Sequence, residues 1–550
     1  MKQVSLVSLA VLLSCLVSWI GCSRTGGDER VTVNQAEIRR HLEVLSADEM
    51  EGRSPGTTGG NKAAAYIAEQ FSAFGLEPVV NGGYLQPVPM VGTTVVGEPE
   101  VDLQSGSQAV SLRWMEDVVL AAGPAPADVS LEWPGVPVVF AGYGIVDPST
   151  GWNDYAGTDV KDKVVLVFVN DPPSDDPSFF GGRALTYFGR WTYKIEEAAR
   201  QGAAGTLIIH NTEMAGYPWS VVQTSWSGEQ FYLPDQGNEQ TSFAGWISQA
   251  AAQRLFESEG LDWETALKQA GAEGFQARPL RCRLTGGLEA KVRSIESPNV
   301  LGVARGGNPE SADEYIVVTS HYDHLGVGPA VDGDGIYNGA LDNASGTALL
   351  LELARLASAR RNELGRSVLF AAVTAEEQGL LGSRYLAENP PVPVEQLVAN
   401  VNFDSINVWG ETEDIVAMGA EKSSLEAVVQ EVLSEMGLQR SPDAFPEKGH
   451  FFRSDHFSFV RRGIPAVYYD YGLQFRNQPP DWGKRLMETY VDKHYHQPSD
   501  EYDPEWSLEG AVQFGEVVWR TLVRIANAPE RPQWKPGEPD ASGIVLETGR

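Results

Sequence analysis

Residues 315–381 carry histidines and carboxylates at spacings that suit a catalytic metal site. In chain order the candidates are His321, Asp323, His324, Asp342, Glu376 and Glu377. The first three follow one apolar run and the two glutamates follow another, so two predicted strands deliver ligand-type side chains at their carboxyl ends. In open α/β sheets this edge is where sites form. Histidine and carboxylate ligands without cysteine suit Zn²⁺ or another borderline divalent ion in a catalytic rather than a structural site.

Two more candidates lie later in the chain, Asp404 after a predicted strand and His496 in a polar loop. With them, two metal ions about 3.5–4 Å apart can each be given a set of protein ligands. Asp342 is the natural bridge, because a carboxylate has two oxygens whereas imidazole has one free lone pair. The other ligands then divide into one pair for each ion, His321 with Asp404 and Glu377 with His496.

Glu376 and Asp323 have different predicted roles. Glu376 does not easily bind the same ion as its neighbour Glu377, so we expect it to be the general base that takes a proton from the attacking water and passes it to the leaving amine. Asp323, two residues after His321, is expected to accept the other ring N–H of His321 and fix its tautomer. Each residue alone has an ordinary structural explanation, such as a solvated glutamate pair. Their joint occurrence at the ends of three predicted strands favours a site.

Apolar patterns predict the helices and strands that position these residues. The predicted helices are 33–45, 63–74, 193–201, 347–359, 425–437 and 508–525. The predicted strands are 136–143, 163–169, 205–210, 297–303, 315–319, 368–373, 397–403 and 463–469. Strands that alternate with helices in this way are typical of an α/β protein.

The charge of the chain excludes some classes of partner. Its 550 residues include 42 basic and 74 acidic residues, which gives a formal net charge of −32. Such a chain is repelled by nucleic acid and by an anionic membrane surface, so neither is expected as a partner. The three cysteines, Cys15, Cys22 and Cys282, form no disulfide framework, and Cys282 is expected to be a buried structural thiol.

The N-terminus predicts export. Lys2 is followed by an apolar run from Val4 to Ile20 and then by Gly21 and Cys22, which is typical of a secretory signal. Ile20-Gly21-Cys22 resembles a bacterial lipobox, so residues 1–22 are expected to be a lipoprotein-like signal. The protein would then be held in the cell envelope, in the periplasm or at the outer membrane, by lipid on Cys22, or be secreted. A signal-anchor helix is the alternative.

The catalytic motifs resemble a known enzyme family. The set SHYDHLG, YNGALDNASG, AEEQGLLGS, NFDSI, SDHFSF, GIPAV and YHQPSDEYD resembles the M28 family of zinc aminopeptidases. The resemblance implies a three-layer α/β/α fold around a mixed central sheet, two Zn²⁺ per chain and hydrolysis of N-terminal peptide bonds of a peptide substrate. It implies the same five metal ligands and Glu376 as the base. It also suggests that Ser454, Asp455 and His456 line the substrate pocket. His494 is a second candidate beside His496, but the spacing to Asp500 favours His496.

A further segment resembles a protease-associated (PA) domain. It contains GYG, NDYAGTDVKDKVVLV and YKIEEAARQGAAGTLIIH. We therefore expect an M28-type domain in residues 30–95 and 291–526 and an inserted β-rich α+β region in residues 96–290. The PA-like core of the insert is expected at about 130–215, and residues 527–550 are expected to be a flexible tail.

Three alternatives to a zinc aminopeptidase remain open from the sequence. A glutaminyl cyclase resembles the same fold with one zinc ion, and a carboxypeptidase of the same family shares the zinc chemistry. A non-catalytic binding protein of this architecture would lack the ligands that this chain carries. No sequence signal indicates the oligomeric state.

Overall fold

The computed structural model describes residues 32–105, 108–234 and 239–536. The predicted signal and Cys22 lie outside the described residues, as do residues 537–550. Within the described ranges, no helix is both long enough and apolar enough to cross a membrane.

The helices and strands alternate along much of the chain. The helices are α1 (Gln35–Leu45), α2 (Thr58–Phe74), α3 (Trp191–Arg200), α4 (Thr212–Ala215), α5 (Trp219–Ser227), α6 (Gln249–Ser258), α7 (Trp263–Ala270), α8 (Gly346–Ala359), α9 (Leu381–Glu388), α10 (Leu425–Met436), α11 (His456–Val460), α12 (Trp482–Lys493) and α13 (Glu509–Asn527). The strands are β1 (Glu77–Pro78), β2 (Leu85–Val95), β3 (Glu100–Ser105), β4 (Gln108–Ser111), β5 (Val118–Ala122), β6 (Val129–Phe140), β7 (Val146–Asp147), β8 (Trp152–Asn153), β9 (Val164–Phe168), β10 (Gly205–Ile209), β11 (Gln230–Tyr232), β12 (Phe243–Ile247), β13 (Arg278–Ala304), β14 (Tyr315–His321), β15 (Gly326–Val331), β16 (Asp334–Tyr337), β17 (Ser367–Val373), β18 (Leu397–Phe403), β19 (Asp414–Met418), β20 (Gln439–Ser441) and β21 (Ala466–Tyr471).

A mixed sheet forms the centre of the larger α/β unit. Its strand order is β20-β19-β21-β18-β14-β17-β13, in which β21, β18, β14 and β17 are parallel. Helices α1, α2, α8, α10 and α13 share one hydrophobic core on one face, and α9 and α11 cover the other face. The predicted three-layer α/β/α fold with a mixed sheet is therefore confirmed.

The parallel strands are buried on both faces, which explains their sequences. Every residue of β14, β17 and β18 is buried, and these strands read as nearly continuous apolar runs. Because their carboxyl ends meet at one edge, the polar residues that follow them are brought together there. Helix α8 follows the loop that carries Asp342 and packs on β14 and β17 directly behind that edge.

The insert contains a second group of parallel strands, which is continuous with the central sheet through β13. Strands β6, β9, β10 and β12 run parallel to one another, and β5 closes the far side antiparallel to β12. Helices α3 and α5 contribute to the hydrophobic core on one face, and α6 and α7 to that on the other. Cys282 is a free, fully buried thiol, and burial raises its pKa to about 12, which agrees with the structural role expected for it.

One long strand joins the insert to the larger unit. Strand β13 runs without interruption through residues 278–304, pairing with β6 and β3 of the insert and then with β2 and β17. The boundary expected between residues 290 and 291 therefore lies inside a strand. The sequence pattern changes near this point because β13 leaves one hydrophobic core and enters another, while its backbone pairing continues.

The first residues of the expected tail are held against the larger unit. Arg531 forms an ion pair with Glu314 at 2.8 Å, and the indole N–H of Trp534 donates to the carbonyl of Gly463 at 2.8 Å. The described part of this segment, up to residue 536, is thus attached by polar contacts that its proline- and charge-rich composition does not reveal.

Candidate metal centre

Two sets of donor atoms meet at the carboxyl edge of the central sheet, and Asp342 belongs to both. In the first set, His321 Nε2 lies 3.0 Å from Asp404 Oδ1 and 3.4 Å from Asp342 Oδ1. In the second set, His496 Nε2 lies 3.0 Å from Glu377 Oε2 and 3.3 Å from Asp342 Oδ2. Each oxygen of Asp342 therefore faces a different histidine, as expected for a bridging carboxylate.

The first set is held by the strands of the larger unit. His321 ends β14, and its Nδ1 lies 3.2 Å from the backbone carbonyl of Asp323, so Nδ1–H donates there and Nε2 is left as the metal donor. The Asp323 carboxylate lies farther from Nδ1, at 3.7 Å, so the backbone of Asp323 rather than its side chain fixes the tautomer. Asp404 follows β18, and its Oδ2 accepts from the Ser454 hydroxyl at 3.1 Å.

The second set depends on loops and on the insert. His324 Nδ1 lies 2.6 Å from Glu377 Oε1 and donates to it, which leaves Oε2 for a metal. His496 lies in the loop after α12 and has a φ of 57°, in the left-handed region. Its Nδ1 lies 2.7 Å from the hydroxyl of Ser225 on α5. A residue of the insert thus orients one of the metal-donor histidines.

The loop that carries Asp342 is fixed by two residues from distant parts of the chain. Asp500 accepts the backbone N–H groups of Leu341 and Asp342 at 3.0 and 3.1 Å. Arg53 is fully buried and donates to the carbonyl oxygens of Asn338 and Gly339, just before this loop, and to those of Leu45 and Tyr322.

Gly339 allows the chain to pass close to the site. Its φ is 53°, and a Cβ atom there would lie 2.2 Å from the carbonyl oxygen of Asp342 and 2.5 Å from the ring of His324. A larger residue would displace the backbone of Asp342, which carries the bridging carboxylate, and the histidine that orients Glu377.

Glu376 lies beside both sets without belonging to either. Its Oε2 is 4.0 Å from His321 Nε2, whereas the donor atoms of the sets approach to about 3.0–3.4 Å. Its backbone N–H donates to the carboxylate of Asp323 at 3.1 Å. Asp323 therefore positions the backbone of the predicted base in addition to contacting His321. This arrangement leaves the Glu376 carboxylate free to take up a proton.

The buried carboxylates make the centre a strong attractor for cations. Burial raises the pKa of Glu376 well above its usual value, and the neighbouring charges of Asp404 and Glu377 act in the same direction. Burial alone would lower the pKa of His496, but Glu377 and Asp342 outweigh it and raise that pKa to about 10. Without a metal, the histidines would therefore take up protons to balance the carboxylates. A divalent cation can replace those protons.

The donor set fits zinc. Nε2 of His496 is buried and lies 3.0 and 3.3 Å from Glu377 Oε2 and Asp342 Oδ2 without meeting hydrogen-bond geometry to either, so these three atoms form a cluster of donors that a cation can join. Donor atoms of His321, Asp342 and Glu377 also lie within 4.8 Å of one another. Imidazole and carboxylate donors with room for further ligands are characteristic of catalytic zinc sites.

The structure places the three expected pocket residues differently. Ser454 lines a cavity of about 150 Å³ next to Asp342 and Asp404. Asp455 and His456 have no exposed surface, and His456 stacks on Tyr468 behind the cavity wall. Only the first of the three therefore lines this cavity, because the chain enters helix α11 at His456 and the side chains of Asp455 and His456 turn into the interior. The other candidate, His494, points to Ser499 and not to the donor sets.

Sequence reasoning missed four residues of the centre. The sequence presents His324 as a ligand-type residue without a role, and Asp500 only through its spacing from His496. Arg53 and Ser225 carried no signal at all, since each acts through a partner more than 250 residues away. Arg53 is a buried arginine with a positive φ, and the preceding Gly52 also has a positive φ. Both features are visible only in the folded chain.

Comparison with known proteins supports the predicted class. Residues 299–522 match the model of peptidase family M28. A "Probable zinc metalloprotease" of Pyrenophora tritici-repentis is 25% identical over 322 residues, 52% of this chain and 67% of the relative. Aminopeptidase YwaD of Bacillus subtilis is 24% identical over 246 residues, 43% of this chain and 46% of the relative.

The overall fold also matches a solved structure. The aminopeptidase from Aneurinibacillus sp. strain AM-1 is similar over 92% of this chain and 96% of its own, with a TM-score of 0.52 and 20% identity. This likeness supports the fold. The chain spans about two thirds of the Pyrenophora tritici-repentis relative and less than half of the Bacillus subtilis relative. The matched family model is that of a peptidase, and these relatives are named as a zinc metalloprotease and an aminopeptidase.

Proposed function

We propose that this protein is an aminopeptidase that uses two zinc ions to hydrolyse N-terminal peptide bonds. One observation carries the proposal: two donor sets share Asp342, and a carboxylate that belongs to neither set, Glu376, lies beside them. Two-metal hydrolases need this combination of a bridged pair and a nearby base.

Each zinc ion would be held by three residues of the chain. His321, Asp342 and Asp404 would hold one ion, and His496, Asp342 and Glu377 the other. When bound, the pair would polarise the scissile carbonyl and lower the pKa of a water molecule at the site.

The residues of the chain supply the proton transfers and the orientation. Glu376 would accept the proton of the attacking water on its carboxylate and deliver it to the leaving amine. Burial raises the pKa of Glu376 in the metal-free site, and the positive charge of two bound zinc ions would lower it again, so the carboxylate would be ionised and able to accept a proton. The Asp323 carboxylate keeps Glu376 in place by accepting the backbone N–H of Glu376. His324 donates to Glu377 and keeps that carboxylate turned toward His496.

The aminopeptidase reading rests on the relatives, and two alternatives share its chemistry. A glutaminyl cyclase needs one metal ion, and the two donor sets favour two. A carboxypeptidase would use the same centre but bind the other end of the peptide. A non-catalytic role would leave the donor sets and Glu376 without purpose. The insert is proposed to be PA-like, which its parallel strands and flanking helices support.

A substrate panel with the purified protein tests the proposal. Aminoacyl-p-nitroanilides with a free amine should be hydrolysed, and peptides blocked at the N-terminus should not. A chelator should abolish turnover and zinc should restore it. Glu376→Gln should lower turnover about 10²–10⁴-fold while both zinc ions stay bound. Turnover of the N-blocked peptides alone would instead assign a carboxypeptidase, and loss of zinc in Glu376→Gln would overturn the role of the base.

Export and lipid attachment at Cys22 are a separate proposal, supported by the sequence of residues 2–22. One lipidated residue would hold an acidic enzyme at a membrane from outside the cytoplasm. Intact-mass measurement of the membrane-extracted protein should give a chain that starts at a modified Cys22; an unprocessed Met1 would reject the proposal.

A further inference from the structure

Arg190 is a buried cation that pairs with no carboxylate among the described residues. It lies at the start of α3 in the insert, and only 8% of its surface is exposed. Its Nε has no hydrogen-bond partner, and its guanidinium makes no ion pair with any residue in the described ranges. Buried charges are normally paired because burial without a partner is costly. Burial lowers the pKa of Arg190 only to about 10, so the group stays charged at neutral pH.

A second arginine lies beside it. The charge of Arg453 lowers the pKa of Arg190, whereas the charge of Glu376 raises it. Arg453 is held in place by one N–H bond to the carbonyl of Ala215, at 2.8 Å, and by the ring of Tyr217, 5.3 Å from its guanidinium carbon. Its Nε is also buried and has no hydrogen-bond partner in the part of the chain that the structure describes. Two neighbouring guanidinium groups thus repel each other and keep unused donors.

Both arginines line a cavity at the metal centre. This cavity, of about 90 Å³, is bounded by Arg190, Arg453, Glu376, Glu377 and His496. It lies between the insert and the larger unit, because α3 and α5 form one wall and the catalytic loops form the other. A group bound there would touch the arginines and lie next to the bond that the centre cleaves.

We infer that Arg190 and Arg453 form a subsite that binds a carboxylate of the substrate next to the scissile bond. Guanidinium groups bind carboxylates through paired N–H donors, and such charge-assisted bonds are strong when water is excluded. The inference rests on the proposed hydrolase function and names its substrate class as short or acidic peptides. The carboxylate can come from the C-terminus of a dipeptide or from an acidic side chain.

An anion in this cavity would also remove an unfavourable feature of the free protein. Replacing an unpaired buried charge by an apolar residue of similar volume is often neutral or stabilising, whereas removing a structural arginine destabilises the fold. Arg190→Met therefore distinguishes a subsite residue from a structural one by its effect on Tm.

The test measures binding and turnover separately. Two matched pairs of peptides are used, in which X is the N-terminal residue preferred in the anilide panel: X-Ala against X-Ala-amide, and X-Asp-amide against X-Asn-amide. Dissociation constants are measured by calorimetry on zinc-loaded Glu376→Gln, and kcat/KM on the zinc-loaded wild type. Arg190→Met is introduced in both backgrounds. The control is Arg200→Ala on the same helix, since Arg200 is paired with Glu197.

The charged member of one pair should bind roughly 10- to 100-fold more tightly than its neutral partner. The two members of the first pair should differ in affinity if the subsite binds a terminal carboxylate. Those of the second pair should differ if it binds an acidic side chain. Arg190→Met should bring that ratio close to one and leave Tm equal or higher, and Arg200→Ala should keep the ratio.

Other outcomes reject the subsite. Equal binding within both pairs, with normal hydrolysis of the neutral peptides, overturns it and leaves the aminopeptidase proposal standing. A different result is that Arg190→Met shifts the pH profile of kcat and leaves the affinity ratio within each pair unchanged. That result means that Arg190 only compensates the charge of Glu376, and it also overturns the subsite. Charge-selective binding without turnover of any peptide supports the subsite and rejects the proposed function.

Discussion

The two halves of the metal centre are supported in different ways. The half with His321 and Asp404 is attached to two adjacent parallel strands of the central sheet and is braced by neighbours from the same unit. The half with Glu377 and His496 lies on loops and takes one of its braces, Ser225, from the insert. The insert is therefore part of the centre, and the second half should be the more easily disturbed.

This difference has a physical basis. Strand ends are held by ladder hydrogen bonds and a packed core, so their side chains keep a narrow range of positions. The position of a loop residue such as His496 depends on a few individual hydrogen bonds. The loss of any one of them allows the side chain a wider range of positions. We expect zinc to leave the second half first when a chelator is added.

Removal of the shared carboxylate should have the largest effect. Asp342→Ala takes one ligand from each half, so both zinc ions should be lost and turnover should fall to background. Metal content per chain and near-native far-UV CD are the measurements. Retention of one tightly bound ion would show that Asp342 does not bridge.

Single-half variants should separate the two halves. Glu377→Gln should lose one zinc ion, and excess zinc should partly restore turnover, because the remaining ligands are intact. Asp404→Asn should lose the other ion. In the wild type, a chelator titration followed by metal analysis should show two steps, the weaker belonging to the half that Glu377→Gln removes. Equal depletion of both halves would contradict the comparison.

Loss of the brace from the insert should have a smaller effect. Ser225→Ala removes the partner of His496 Nδ1, and loss of such outer partners typically lowers metal affinity or activity 10–100-fold. The matched control is Ser227→Ala on the same helix, whose hydroxyl donates to the carbonyl of Thr224 and, within the described ranges, does not contact the metal donors. If both variants bind zinc equally well, the insert does not support the centre.

The affinity of the second half for zinc should rise about tenfold for each unit of increasing pH. In the metal-free protein the pKa of His496 is about 10, so near neutral pH the ring carries a proton that zinc must displace. Affinity at the second half should therefore rise as pH rises from 6 to 8, with proton release into the buffer. Calorimetry in buffers of different ionisation enthalpy measures it; affinity independent of pH would mean that the ring is already neutral.

Much of the fold and the choice of metal donors could be predicted from the sequence. The apolar runs that end in His321, Glu376 and Asp404 are local patterns, and parallel strands bring their carboxyl ends to one edge in any α/β sheet. Asp342, on the loop between the first two of these strands, then lies between the two sets of donor atoms. The chemistry of these residue types did not depend on details of the tertiary structure.

The tertiary structure alone decided how the centre is braced and where its cavity opens. Ser225 contacts His496, and Arg190 lines the cavity beside Glu376, because β13 carries the insert back against the catalytic loops. The same applies to Asp455, which adjoins Ser454 in the chain but turns into the core. Local periodicity determines which residues lie on one face of an element, whereas contacts between distant segments depend on how whole elements pack, and no short-range pattern records that packing.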